Sequence, residues 1–305
     1  FVLGVPYFFG TQYWIYHSIN HFGGVSLILS LFIVLLLALY QSLYTGLFAL
    51  VFSWKLRSSY LPALFLAPLF WVVSEFLRSY LLTGFPWSSI GYSQYEFLPF
   101  IQFADITGIY GVSFLVVAVN GAVSDIFIAQ NRRREMTLFH LTPTSRGVLL
   151  LFVVLITVFI YGRYRLDEKR PGNTFRASVV QGNIRQDQKW DPQFRAEVIA
   201  KYKKLTEAAA AMQPGLVVWP ETAAPFYFGR DSTYTEDLIA FQRGIGAYLL
   251  FGAITVKDKD SASNSAVLLD TAGTPVYVYD KIHLVPFGEY VPLRKLLFFV
   301  DKLAY

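Results

Sequence analysis

Two carboxylates and a lysine stand where acid–base chemistry could be done. Glu221 follows the apolar run Val217-Val218-Trp219 across Pro220, so a buried strand delivers a carboxylate where a proline fixes the backbone. A carboxylate at the edge of an apolar site is partly desolvated, which raises its pKa toward the range of a general base. Lys281 ends a second apolar stretch that begins at Val276, and Glu289 follows it after the turn at Gly288. A fixed ammonium can stabilise an oxyanion. Each feature alone also describes an ordinary solvated residue at a strand end. The inventory lacks a nucleophile, since the chain has no cysteine and no serine in a setting such as G-x-S-x-G.

The elements that must position these residues lie beyond about Thr174. Phe175–Gln181 reads as a strand, and Asp191-Pro192 reads as a helix start running to about Met212. That helix places Phe194, Val198, Ile199, Tyr202 and Leu205 on one face. Gly215–Trp219 and Tyr248–Val256 read as strands, with Asp237–Gly244 helical between them. Ser265–Leu269 and Val276–Tyr279 form a hairpin around Asp270–Gly273. Strands alternating with helices predict an α/β layer fold over residues 174–305.

The preceding residues are of another kind. The chain is 54% hydrophobic and 15% charged, against roughly 25% charged in ordinary globular domains. Residues 1–160 hold only 7 of the 26 Lys and Arg and 5 of the 21 Asp and Glu. Segments 26–52, 61–83, 106–124 and 147–162 are long and apolar enough to read as membrane spans, and 1–16 reads as a fifth, cut at its front. Residues 1–165 are therefore expected to form a membrane α-helical bundle in a chain that begins inside it. Lys55 and Arg57 lie in one loop and four arginines in the loop 130–146, while the alternate loops lack Lys and Arg. That alternation places the basic loops in the cytoplasm and the α/β part outside it. Arg163, Arg165, Lys169 and Arg170, at the outer end of the last span, run against the rule. The net charge of +5 is too weak and scattered to imply nucleic acid.

Charged residues inside spans are costly and mark interior or functional positions. Glu75 and Arg78, three apart on one helix, are expected to face each other as an ion pair, with contact to a lipid head group as the alternative. The loop 84–105 is rich in aromatics, including Phe85, Trp87, Tyr92 and Phe97. It reads either as an interfacial belt or as a lipid-facing vestibule with Trp87 in it. His17 and His21 have a metal-ligand spacing but no carboxylate or cysteine companion, so no metal is implied.

Several short motifs run in register along the chain: Glu75-Phe76-Leu77-Arg78, Thr83-Gly84-Phe85-Pro86-Trp87, Gly91-Tyr92-Ser93-Gln94, Val180-Gln181-Gly182-Asn183-Ile184, Lys189-Trp190-Asp191, Trp219-Pro220-Glu221, and Lys281 with 283–292. On these, the α/β part resembles the nitrilase (carbon–nitrogen hydrolase) superfamily, and the whole chain resembles the apolipoprotein N-acyltransferase family. The resemblance implies αββα-type layers, incomplete at the C-terminus, and a Glu–Lys–Cys triad. Glu221 would be the general base, Lys281 the oxyanion-stabilising lysine and Glu289 a supporting acid. The nucleophilic cysteine would lie beyond Tyr305. Trp190, Asn264, Pro220 and His283 would border the acyl pocket.

The implied reaction moves an acyl chain from a phospholipid, through a thioester, to the α-amine of a diacylglyceryl-cysteine apolipoprotein. It uses no cofactor and takes place at the outer face of a bacterial inner membrane. Two other readings share these residues: a membrane-anchored amidase or nitrilase acting on small amides, and a non-catalytic lipid-binding scaffold.

Overall fold

The computed structural model describes residues 1–59, 61–131, 143–168, 172–258 and 261–285. The chain folds as two units, Phe1–Arg170 and Pro171–Tyr305.

The first unit is helical. Helix α1 spans Gly4–Gln12, α2 Leu27–Ser58, α3 Ala63–Tyr80, α4 Ala104–Asn131 and α5 Pro143–Asp167. Among the described residues, α2 to α5 are the four helices long and apolar enough to cross a membrane. These four correspond to the four complete segments expected from the sequence. Of the fifth segment, α1 covers nine residues, about 14 Å, and short helical turns at Ile15–His17 and Ser18–Phe22 follow it.

Their packing relies on small residues, as helix association in lipid does. A methyl group at Gly121 of α4 would lie 2.6 Å from Leu64 Cα, so those two backbones touch. The α3–α4 contact also has a polar tie. Asp125 of α4 accepts from the first amides of α3, Ala63 N at 3.0 Å and Leu64 N at 2.9 Å. These donors have no partner inside their own helix. A carboxylate there also suits the positive end of the helix dipole.

The second unit holds a mixed six-stranded sheet. Its strands are β1 Ala177–Val179, β2 Leu216–Val218, β3 Ala224–Phe228, β4 Tyr248–Asp258, β5 Ser261–Leu269 and β6 Pro275–Asp280. The order is β1-β2-β4-β5-β6, and β3 also pairs with β4. Strands β1, β2 and β4 are parallel, whereas β4, β5 and β6 form an antiparallel meander. Helix α6, Arg195–Ala210, lies between β1 and β2, and α7, Ser232–Arg243, between β3 and β4.

The buried face follows the period-2 rule of strands. Leu249, Phe251 and Ala253 of β4, Val217 of β2, and Val267 and Leu269 of β5 are all fully buried. They share one core with Val198, Ile199 and Tyr202 of α6 and Leu238 of α7. The β5–β6 turn closes as its sequence demands. Asp270 Oδ1 accepts from Ala272 N and Thr274 N, and Gly273 takes a φ of 79°.

Two elements differ from the sequence expectation. The α6 helix begins at Arg195 and not at Pro192, because Asp191 first closes a turn through Gln193 N and Phe194 N. Strand β3 forms after Glu221, in a stretch to which the sequence patterns assigned no element.

Removing the Asp125 carboxylate leaves two helix-end amides unpaired inside the bundle. Asp125→Ala is expected to cost about 1–2 kcal/mol, the usual worth of such a cap. It is read as a lowered midpoint in thermal unfolding of the detergent-solubilised protein. An unchanged midpoint would show that the cap contributes nothing.

Candidate active site

Glu221 and Lys281 are sixty residues apart in sequence, and β4 and β5 bring them together. Strand β2 ends at Val218, and β4 continues to hold the chain beyond it through Trp219 N to Leu250 O at 2.8 Å and Gly252 N to Pro220 O at 3.2 Å. Glu221 is thus aligned on β4. On the other side of β4 runs β5, with Gly252 opposite Ala266 and Ile254 opposite Asn264. Lys281, just past β6, is tied to β5 by its own amide, which donates to Asn264 O at 2.8 Å.

The side chains meet at one carboxylate oxygen. Glu221 Oε1 lies 3.1 Å from Lys281 Nζ and accepts from Asn264 Nδ2 at 2.7 Å. Asn264 therefore fixes both partners, Lys281 through its carbonyl and Glu221 through its amide. Behind them a run of side chains stiffens the hairpin. Ser265 Oγ lies 2.7 Å from both Asp280 Oδ1 and Thr255 Oγ1.

The desolvation expected around Glu221 is not its environment in this chain. Its side chain is 64% exposed, whereas that of Lys281 is 29% exposed. An ammonium and an amide both donate to Glu221 Oε1.

Two further residues support the site from behind the charged pair. Trp219 is buried, stacks on Tyr202 with ring centroids 5.0 Å apart, and donates from Nε1 to Thr206 Oγ1 at 2.8 Å. This anchors the strand end to α6. Gly252 is the second. A Cβ there would lie 2.2 Å from Thr222 N and 2.7 Å from Glu221 Cα, so the chain after Pro220 rests directly on the backbone of β4. The next residue, Thr222, takes a φ of 54°, the left-handed region that a β-branched residue rarely enters. A glycine inside the apolar run YLLFGAITV was the available signal for this close approach.

The residues around the pair lie as follows. Lys189, in the loop before α6, donates to Glu221 O at 3.2 Å, which brings the Lys189-Trp190 loop to the site. Trp190 is 39% exposed, and Pro220 and His283 are exposed. Glu289, with the rest of its motif from Pro286 onward, lies outside the described residues.

In the helical unit, Glu75 and Arg78 are each only 3% exposed, so neither lies on a lipid-facing surface. They also do not pair with each other. Glu75 Oε1 accepts from Trp71 Nε1 at 2.9 Å and Ile90 N at 2.8 Å. Arg78 donates to the carbonyls of Phe85 and Trp87, to Ser89 Oγ and to Gln41 Oε1. The orphan backbone groups of the loop 85–90 win over the neighbouring charge, because an unsatisfied amide or carbonyl inside a bundle costs several kcal/mol. Trp87 is half exposed and stacks on Trp14 with centroids 5.0 Å apart.

Residues 176–300 match the family described as carbon-nitrogen hydrolase, and residues 1–122 match the family described as apolipoprotein N-acyltransferase N-terminal domain. The second unit is therefore a nitrilase-like domain, joined to a helical segment that carries apolar candidate spans. A protein of Geobacter metallireducens named apolipoprotein N-acyltransferase is 41% identical, covering 100% of this chain and 58% of its own length. Proteins of the same name from Pasteurella multocida and Coxiella burnetii are 30% and 31% identical, covering 97% and 94% of this chain and 56% and 57% of their own. The chain belongs to the apolipoprotein N-acyltransferase family. It spans between half and two thirds of the length of those relatives.

The contact at Gly252 can be tested directly. Gly252→Ala must push the Glu221–Thr222 backbone away from β4, and overpacking of this kind costs about 1–3 kcal/mol. Displacing a reacting group by about 1 Å costs about a hundredfold in rate. Thermal unfolding and turnover of the variant are expected to show both losses. Wild-type values for both would show that the close approach is dispensable.

Proposed function

We propose that this chain carries the membrane bundle and the base-and-lysine part of an enzyme that acylates bacterial lipoproteins. The acyl donor is a phospholipid, and the acceptor is the α-amine of an N-terminal diacylglyceryl-cysteine. The observation that carries this reading is the Glu221–Lys281 contact at 3.1 Å, with Asn264 on the same oxygen, in a chain of this family.

The roles follow from the chemistry of each group. Glu221 takes the proton of a cysteine thiol supplied from outside these 305 residues. The sulfur attacks the donor ester carbonyl, and the Lys281 ammonium stabilises the resulting oxyanion. The carbon–oxygen bond to glycerol then breaks, and the proton held by Glu221 passes to the leaving alkoxide. This releases a lysophospholipid and leaves a thioester. In the second half the acceptor amine attacks the thioester, Glu221 takes a proton from the amine, and the thiol is restored by that proton as the amide forms. Glu289 supports the site as a second acid, and Trp190, Pro220 and His283 border the acyl pocket.

The bundle fits lipid substrates, which a single anchoring helix would serve less well. The nitrilase-like domain works outside the cytoplasm of an inner membrane, since the arginines of the loop 130–146 and Lys55 with Arg57 mark the cytoplasmic side. The cations at the opposite end flank a long domain, and long domains translocate largely regardless of charge. Arg165 pairs with Asp105 at 2.9 Å and also with Glu168, and Arg163 with Asp167 at 3.5 Å.

Transfer of a labelled acyl chain from phospholipid to a lipopeptide amine tests the roles in the protein that carries this chain. Glu221→Gln and Lys281→Ala are each expected to lower it about a thousandfold or more. Near-normal transfer by either variant would remove the role given to that residue.

A further inference from the structure

Among the described residues, Lys189 is a cation at the site to which the reaction scheme gives no part. Lys189 is half-buried in the loop between β1 and α6, and its Nζ donates to the main-chain carbonyl of Glu221 at 3.2 Å. That carbonyl joins Glu221 to Thr222, the residue at φ 54°. A backbone in this region persists only where its surroundings hold it. Gly252 receives it on one side, and Lys189 grips its carbonyl oxygen. Burial pushes the Lys189 ammonium below the usual lysine range, and the Glu221 carboxylate works against that shift. An ammonium that gives up part of its hydration is retained by the acceptor and the negative charge beside it.

We infer that Lys189 is a positioning residue for Glu221: its ammonium fixes the Glu221 main chain and lends a second positive charge to the carboxylate that Lys281 already holds. This rests on the reading of Glu221 as the general base. Among the described residues, the charged groups facing Glu221 are Lys281 from the end of β6 and Lys189 from the loop, with the neutral amide of Asn264 from β5. The same two elements, β6 and the loop before α6, carry described charges with partners of their own. Asp280 bonds Ser265, and Arg185 pairs with Asp187 at 2.8 Å. Lys281 holds the carboxylate and Lys189 the carbonyl of the same residue, so charge and grip act together on Glu221.

Infrared difference spectra of the whole protein carrying this chain, with Glu221→Gln as the reference that removes its band, follow the titration of Glu221. In Lys189→Met the midpoint is expected to rise by about half a unit or more, because loss of a nearby positive charge disfavours the ionised form. In Lys189→Arg it should stay near the unmutated value. Lys189→Gln keeps a donor for the carbonyl without the charge, and it serves the same comparison if the methionine variant does not fold. Acyl transfer should divide accordingly, with kcat about tenfold lower in Lys189→Met and KM for the phospholipid within about twofold. An unmoved Glu221 midpoint in both charge-removing variants, or a change confined to KM, overturns the inference. If the unmutated protein transfers no acyl chain while the midpoint still responds to Lys189, the transferase reading falls and the positioning role stands.

Discussion

The site depends on a side chain that is not there. Gly252 lies in the middle of β4, and only a glycine lets the chain leaving β2 settle onto that strand. Strand β4 is shared: its bonds to Trp219 and Pro220 fix the approach to Glu221, and its antiparallel pairing with β5 fixes Asn264. Asn264 then fixes Lys281. A shift of one residue in the β4–β5 register would turn Asn264 to the other sheet face and separate Glu221 from Lys281. Buried Leu249, Phe251, Val267 and Leu269 make such a slip costly, since each would exchange a core position for a solvated one. The hydrophobic core of the second unit is in this sense what sets the 3.1 Å contact.

The helical unit solves a different problem by a related device. In lipid every backbone polar group needs a partner within the protein. Helices satisfy most of their own, but the connection after α3 cannot. Two buried charges supply the missing partners. Arg78 holds the carbonyls of Phe85 and Trp87, and Glu75 holds the amide of Ile90. Gln12 and Gln41 bond each other at 3.0 and 2.5 Å, and Gln41 also accepts from Arg78, so α1 and α2 join the same network. The aromatic loop that presents Trp87 beside Trp14 is built on these charges.

Much of this was legible in the residues. Four long apolar segments, the apolar strands and the Asp270–Gly273 turn carry their patterns openly, because burial imposes period and turns impose residue types. The Glu221–Lys281 pairing followed from motifs rather than from periodicity. What stayed hidden shares a cause: it involves the backbone. The i, i+3 spacing of Glu75 and Arg78 predicted that they would face each other, yet each found loop amides and carbonyls. Lys189 reaches a carbonyl, which no side-chain pattern announces. Strand β3 follows a proline and a left-handed threonine, and its partner, the far half of β4, is visible only once the sheet is assembled.

The central claim is that the Glu221–Lys281 pair serves acyl chemistry on phospholipid. Mass spectrometry of the protein carrying this chain, incubated with a phospholipid donor and no acceptor, tests it most directly. The account predicts a single acyl adduct on a cysteine, removed by neutral hydroxylamine and missing from the Glu221→Gln protein. Absence of any adduct from phospholipid, together with release of ammonia from small soluble amides, would contradict it and mark the domain as an amidase.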